Sequence, residues 1–196
     1  MKQIPNIICI FRVLMTIAMA TWVLENPNNN TVLNISFFLT IFSIILDGVD
    51  GIVARALNAT SDFGAFFDIA CDRIVELILI SLFSTLGWIP FWILIVFLVR
   101  GILVDGIRGF ASKEGQTAFG EKSMMKSKIG FFLTSSRFMR LFYGGIKAIA
   151  FAFMFLTQST LSQYHSLEMI LIYLTVFLCI VRGVPVLVEG RKYFKV

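Results

Sequence analysis

Four aspartates and an arginine recur at fixed intervals in one stretch, Asp47-x2-Asp50-Gly51-x2-Ala54-Arg55-x8-Gly64-x3-Asp68-x3-Asp72, beside hydrophobic runs long enough to cross a bilayer. An ionised side chain at the centre of a membrane span costs about 2.5–3.5 kcal/mol on insertion scales, so carboxylates there point to function and call for a partner cation. On helices, Asp47 and Asp50 (i, i+3) share one face, as do Asp68 and Asp72 (i, i+4). Two helices meeting on those faces converge four oxygen ligands. Hard oxygen donors of this kind suit Mg²⁺, Mn²⁺ or Ca²⁺. Taken singly, each aspartate could be an acid flanking a membrane end; the regular spacing and the interleaved glycines weigh against that.

The elements that must carry these residues follow from composition. The chain has 196 residues, 58% hydrophobic and 15% charged, far below the charge content of about 25% usual in soluble domains. This is the balance of an integral membrane protein with a single domain, 1–196, and room for about six helices of roughly 20 residues. Continuous apolar runs, rather than alternation, predict helices near 6–23, 32–49, 63–87, 89–107, 129–156 and 167–188. The breaks at 24–31, 84–90 and 157–166 carry no Lys or Arg, whereas Lys2, Arg55, residues 100–128 and the tail Arg191, Lys192 and Lys195 hold most of them. Positive-inside orientation then puts both termini and the Asp motif on the cytosolic side. The first run carries Arg12 and lacks a basic leader and cleavage site, so it is expected to stay in the mature chain.

The motif Asp-x2-Asp-Gly-x2-Ala-Arg-x8-Gly-x3-Asp-x3-Asp resembles the signature of the CDP-alcohol phosphotransferases, and every specified position is present. The opening Pro5-Asn6-x2-Cys9-x2-Arg12 is similar to that family's Pro-Asn-x2-Thr-x2-Arg start, with Cys9 in place of threonine. The resemblance implies two bound Mg²⁺ or Mn²⁺ ions, with Asp47, Asp50, Asp68 and Asp72 as metal ligands and Asp72 also as general base. It further implies a CDP-linked donor held by Asn6, Asp50, Gly51, Ala54, Arg55 and Gly64. Physics alone does not choose the base: clustered carboxylates repel, so at least one should hold a proton more readily without metal. Glycine and alanine at these positions also serve close helix packing, and Arg55 could snorkel.

The acceptor is read from cations outside the motif. Arg100 and Arg108 lie about two helical turns apart, Lys126 and Lys128 follow, and Arg137, Arg140 and Lys147 fall inside one predicted span. Such a set suits an acceptor that itself carries phosphate, and Arg100, Arg108, Lys126, Lys128, Arg137 and Arg140 are its candidate ligands; topology alone explains some of these charges. Over nearly the first 130 residues the chain resembles the bacterial phosphatidylglycerophosphate synthase branch. That resemblance implies transfer of a phosphatidyl group from CDP-diacylglycerol to sn-glycerol 3-phosphate at a bacterial inner membrane, among membrane lipids and as a homodimer. Residues 135–147 depart from the branch, which leaves inositol phosphate or phosphatidylglycerol open as acceptor. A small ion-binding transporter is the competing class, but the inverted repeats it would carry are not seen. Cys9, Cys71 and Cys179 sit in apolar runs without paired spacing and read as packing residues, His165 is assigned no role, and no nucleic-acid surface is indicated.

Overall fold

A computed structural model describes residues 4–56, 62–113, 115 and 124–194; within these helices the side chains of residues 4, 50–56, 62, 65, 113, 193 and 194 lie outside the description. The described residues form α1 (Ile4–Glu25), α2 (Asn30–Ala56), α3 (Asp62–Thr85), α4 (Phe91–Lys113), α5 (Lys128–Ser135), α6 (Arg137–Ser159) and α7 (His165–Glu189), with short 3-10 turns at Ser162–Tyr164 and Gly190–Phe194 and no strand among them. The all-helical expectation is met. Large side chains such as Phe38, Phe66 and Leu141 are exposed while Phe83, Phe155 and Leu33 are fully buried, a pattern suited to helices whose outer faces meet lipid.

Among the described residues, four segments have the length and apolar composition to cross a membrane: Pro5–Glu25, Asn30–Val49, Arg137–Ser159 and Ser162–Lys192. The sequence predicts six spans. α3 and α4 fall short on that measure because Asp68, Asp72, Arg73 and Glu76 interrupt one and Arg100, Asp105 and Arg108 the other. The single helix predicted over 129–156 is corrected: Ser136, with φ −65 and ψ 144, is extended and divides it into α5 and α6. Its hydroxyl donates to Phe132 O at 2.6 Å and accepts from Met139 N at 3.2 Å, so one serine closes α5 and opens α6.

The chain divides into two compact units, residues 1–94 with 150–168, and residues 95–149 with 169–196. In the first, α1 packs along both α2 and α3. Asn29 starts α2 by accepting at its side-chain oxygen from Thr31 N and Val32 N, at 3.0 and 3.4 Å. Thr16, Ser36 and Thr40 return their hydroxyls to carbonyls one turn back, which satisfies polar groups that have no water to turn to. Gly87 takes φ +74 after α3, a left-handed turn that suits glycine. Beside it Phe83, Trp88, Phe151 and Phe155 meet with ring centroids 5.3–6.0 Å apart. In the second unit Val104, Ile107, Ala111, Met124, Met125 and Val186 form a buried core.

Candidate metal and phosphate sites

α1, α2 and α3 each send polar side chains to one place. Asp47 comes from α2, and Asp68 and Asp72 from successive turns of α3; one carboxylate oxygen of each lies within 4.8 Å of the others. Into this group α1 sends Arg12, whose Nη1 stands 2.7 Å from Asp47 Oδ1 and whose Nη2 stands 2.9 Å from Asp72 Oδ1. Cys9, one turn earlier on α1, donates its thiol to Asp68 Oδ1 at 3.7 Å. The Arg12 side chain is only 4% exposed, whereas those of Asp47 and Asp72 are 41% and 45% exposed. The arginine is therefore built into the helix packing, and the carboxylates remain reachable by ligand.

A divalent cation with oxygen ligands at about 2.1–2.4 Å sets those oxygens about 3–5 Å apart, so the observed separation fits such an ion. Clustered acids that were merely surface residues would not need a buried guanidinium to hold two of them. The side chain of Asp50 lies outside the described residues, so the four-aspartate set is observed at three positions. Gly51, Ala54 and Arg55 occupy the end of α2, where side chains are likewise outside the description. Asn6 lies in the first turn of α1 and Gly64 in the first turn of α3, both partly buried. On α3, Arg73 pairs with Glu76, which is itself buried; the sequence reading did not single out this pair.

The second unit holds the cations expected to meet an acceptor phosphate. Arg182 of α7, which the sequence reading passed over, is buried and donates to Thr134 O and Met139 O, both at 3.3 Å, and its guanidinium lies 4.9 Å from the centre of the Tyr143 ring. Those two carbonyls straddle the break at Ser136. Thr134 O lies in the last turn of α5, where carbonyls lack an intrahelical partner, so Arg182 satisfies it and adds a second bond to the first turn of α6. Arg100 and Arg140 are the guanidinium groups acting on Arg182. Arg100 lies against Gly183, where a Cβ would stand 2.9 Å from Arg100 Cγ, so a larger residue there would require the arginine to shift. The Nε atoms of Arg100 and Arg182 are buried with no hydrogen-bond partner among the described residues. Three guanidinium groups gathered in this way, with buried donors left over, suit an anion. Of the other expected ligands, Arg108 is partly buried on α4, while Lys126, Lys128 and Arg137 are exposed at the starts of α5 and α6. A buried arginine at position 182 could have been noticed in the sequence, since it interrupts an apolar run just as Arg137 and Arg140 do.

A family model described as CDP-alcohol phosphatidyltransferase matches residues 2–181. Among curated proteins, a putative cardiolipin synthase of Mycobacterium tuberculosis is 30% identical over 103 residues, covering 53% of this chain and 47% of that protein. A CDP-diacylglycerol--glycerol-3-phosphate 3-phosphatidyltransferase of Mycoplasma genitalium is 40% identical over 75 residues, covering 38% of this chain and 31% of the relative. One of the same description from Mycoplasma pneumoniae is 31% identical over 132 residues, covering 58% and 57%. The chain spans a third to somewhat over half of the length of these relatives.

Proposed function

The chain belongs to the CDP-alcohol phosphatidyltransferase family, and from that premise we propose that it transfers the phosphatidyl group of CDP-diacylglycerol to sn-glycerol 3-phosphate, releasing CMP. The observation that carries this reading is the meeting of Asp47, Asp68 and Asp72 around one point, inside the segment that the family model matches. In the proposed reaction the acceptor hydroxyl loses its proton to Asp72 as its oxygen bonds to the phosphatidyl phosphorus, and the bond from that phosphorus to the CMP oxygen breaks. Arg12 holds Asp47 and Asp72 at fixed separation, so the base does not have to be ordered during the reaction. Asn6, Asp50, Gly51, Ala54, Arg55 and Gly64 form the donor side, where Arg55 meets the diphosphate charge and the small residues let the nucleotide lie close to backbone. When bound, two Mg²⁺ or Mn²⁺ ions, held by Asp47, Asp50, Asp68 and Asp72, would neutralise charge on the diphosphate and on the departing CMP.

On the acceptor side, Arg182 joins Arg100, Arg108, Lys126, Lys128, Arg137 and Arg140 as cations for the phosphate that glycerol 3-phosphate carries and simple alcohols lack. The protein is proposed to cross the membrane six times as a homodimer, with α3 and α4 completing the four apolar helices, and to hold both termini and the site at the cytosolic face of a bacterial inner membrane. One observation favours a second acceptor, phosphatidylglycerol: the mycobacterial relatives bear the name putative cardiolipin synthase. Incubating the purified protein with CDP-diacylglycerol, Mg²⁺ or Mn²⁺ and, in turn, sn-glycerol 3-phosphate, phosphatidylglycerol and inositol phosphate, while following CMP, tests the reading. Acceptor-dependent CMP release with glycerol 3-phosphate is the expected result. Release with phosphatidylglycerol alone would move the assignment to the second acceptor, and no release with any alcohol would return the four aspartates to an ion-binding or transport role.

A further inference from the structure

Between the buried Met125 and the buried Gly130, the residues that include Lys126 and Lys128 are exposed. Lys126, Ser127 and Lys128 are exposed, and α5, which they begin, is only eight residues long. Yet one carboxylate from the far end of α7 fixes it. Glu189 accepts from the backbone amide of Lys126, from the backbone amide of Ser127 at 3.3 Å and from the Ser127 hydroxyl at 2.6 Å. The same hydroxyl accepts from Gly130 N at 3.0 Å and so caps α5.

The surroundings leave this carboxylate little freedom. A Cβ on Gly130 would stand 2.5 Å from Glu189 Oε1, so a side chain there would collide with the latch. Immediately beyond Glu189, a Cβ on Gly190 would stand 2.5 Å from Ile107 Cγ2 of α4, which keeps the end of α7 pressed onto that helix. On the inner side Met124 and Met125 are buried with Ile107 and Val186 in the core of the same unit. A charged acceptor bound to two backbone amides is a costly way to end a helix that water could finish at an exposed site, unless the register of the chain there matters.

We infer that Glu189 is a positioning residue for the acceptor site: by gripping the amides of Lys126 and Ser127 it fixes where the Lys126 and Lys128 ammonium groups can reach. This rests on the reading of those lysines as acceptor-phosphate ligands. Glu189 does not touch the acceptor, and its own charge opposes a phosphate. Its contribution is to remove the motion of a short exposed segment before the acceptor arrives.

The test uses the full chain in lipid nanodiscs and four variants, Glu189→Gln, Ser127→Ala, Lys126→Gln and Lys128→Gln, with hydrogen exchange over residues 124–130 and separate KM values for sn-glycerol 3-phosphate and CDP-diacylglycerol. Glu189→Gln keeps the size but weakens the charge-assisted bonds, so exchange at Lys126 and Ser127 should quicken about tenfold and the acceptor KM should rise about five- to tenfold, with donor KM and kcat within about twofold. Ser127→Ala, which keeps the carboxylate and loses only the hydroxyl, should move both quantities the same way by less. Unchanged exchange in Glu189→Gln would overturn the latch itself. Faster exchange with an unchanged acceptor KM, while Lys126→Gln does raise it, would show that the latch positions nothing the acceptor uses. If neither lysine variant alters the acceptor KM, the reading of those lysines has failed, and the positioning role falls with it while the latch stands.

Discussion

Arg12 Nη2 lies 2.9 Å from Asp72 Oδ1, so the residue proposed as the base is tied to α1 by a guanidinium that also reaches Asp47 at 2.7 Å. Among the described side chains, Asp47, Asp68 and Asp72 converge beside the Arg12 guanidinium, which pairs with Asp47 and Asp72. Crowded carboxylates of this kind suit a divalent ion. Arg12 keeps the carboxylates converged without such an ion, and the remaining repulsion is what an ion would relieve.

Arg12→Gln should therefore make the fold lean on metal. Breaking a buried ion pair costs about 3–5 kcal/mol, and with partly exposed partners about 2 kcal/mol is the better figure, or about 4–8 °C in apparent Tm for a chain of this size. The loss should appear in excess chelator and shrink when Mn²⁺ is added, because an ion that binds only the folded form stabilises it. Thermal denaturation of both proteins with and without Mn²⁺ checks this; an equal metal-induced shift in the two would mean that Arg12 does not order the carboxylates.

Removing the metal should stop turnover without unfolding the protein. In excess chelator, CMP release from CDP-diacylglycerol is expected to vanish and to return with Mg²⁺ or Mn²⁺. Asp68→Asn, which removes one charge while keeping the helix, should weaken Mn²⁺ binding measured directly by electron paramagnetic resonance by about tenfold or more. Full activity in chelator, or undiminished Mn²⁺ binding by the variant, would remove the metal from the site.

Asp72→Asn separates a base from a ligand. The amide keeps the size and an oxygen but cannot take a proton, so turnover should fall by about 10² or more while donor affinity survives. Equilibrium binding of CDP-diacylglycerol beside single-turnover CMP release reports the two separately. If both collapse together, Asp72 acts chiefly by holding metal.

The parts of this protein that were legible in the sequence are those set by local spacing. Asp68 and Asp72 must share a helix face whatever surrounds them, and apolar runs without alternation must be helices in lipid, so the shared face of these two aspartates and the all-α class could be read directly. The division at Ser136 could not. A run from Lys128 to Phe155 has no Pro, and the break is bridged from Arg182, 46 positions beyond Ser136, which donates to Thr134 O and Met139 O. Arg12 was visible as part of a resemblance, but its bridge between α2 and α3 is tertiary. Likewise nothing in the spacing singles out Glu189, whose three hydrogen bonds to residues 126 and 127 are tertiary.

The group formed by Arg100, Arg140 and Arg182 gives the last prediction. Arg100 has a buried Nε without a partner among the described residues, whereas Arg182 also braces the α5–α6 break. Each charge-assisted bond to a phosphate is worth about 1.5–3 kcal/mol, so Arg100→Gln should raise the KM for sn-glycerol 3-phosphate by about tenfold or more while Tm and the KM for CDP-diacylglycerol stay near those of the parent. Arg182→Gln should raise the same KM and also lower Tm, because two carbonyls lose their donor. Arg182→Lys, which keeps one charge but cannot reach both carbonyls in the same way, should recover part of the acceptor affinity and little of the stability. Steady-state kinetics with each substrate varied in turn, beside thermal denaturation, separates the two contributions. An acceptor KM unmoved by Arg100→Gln, with Tm lowered in both glutamine variants, would make these arginines helix braces and leave the acceptor phosphate to be held elsewhere.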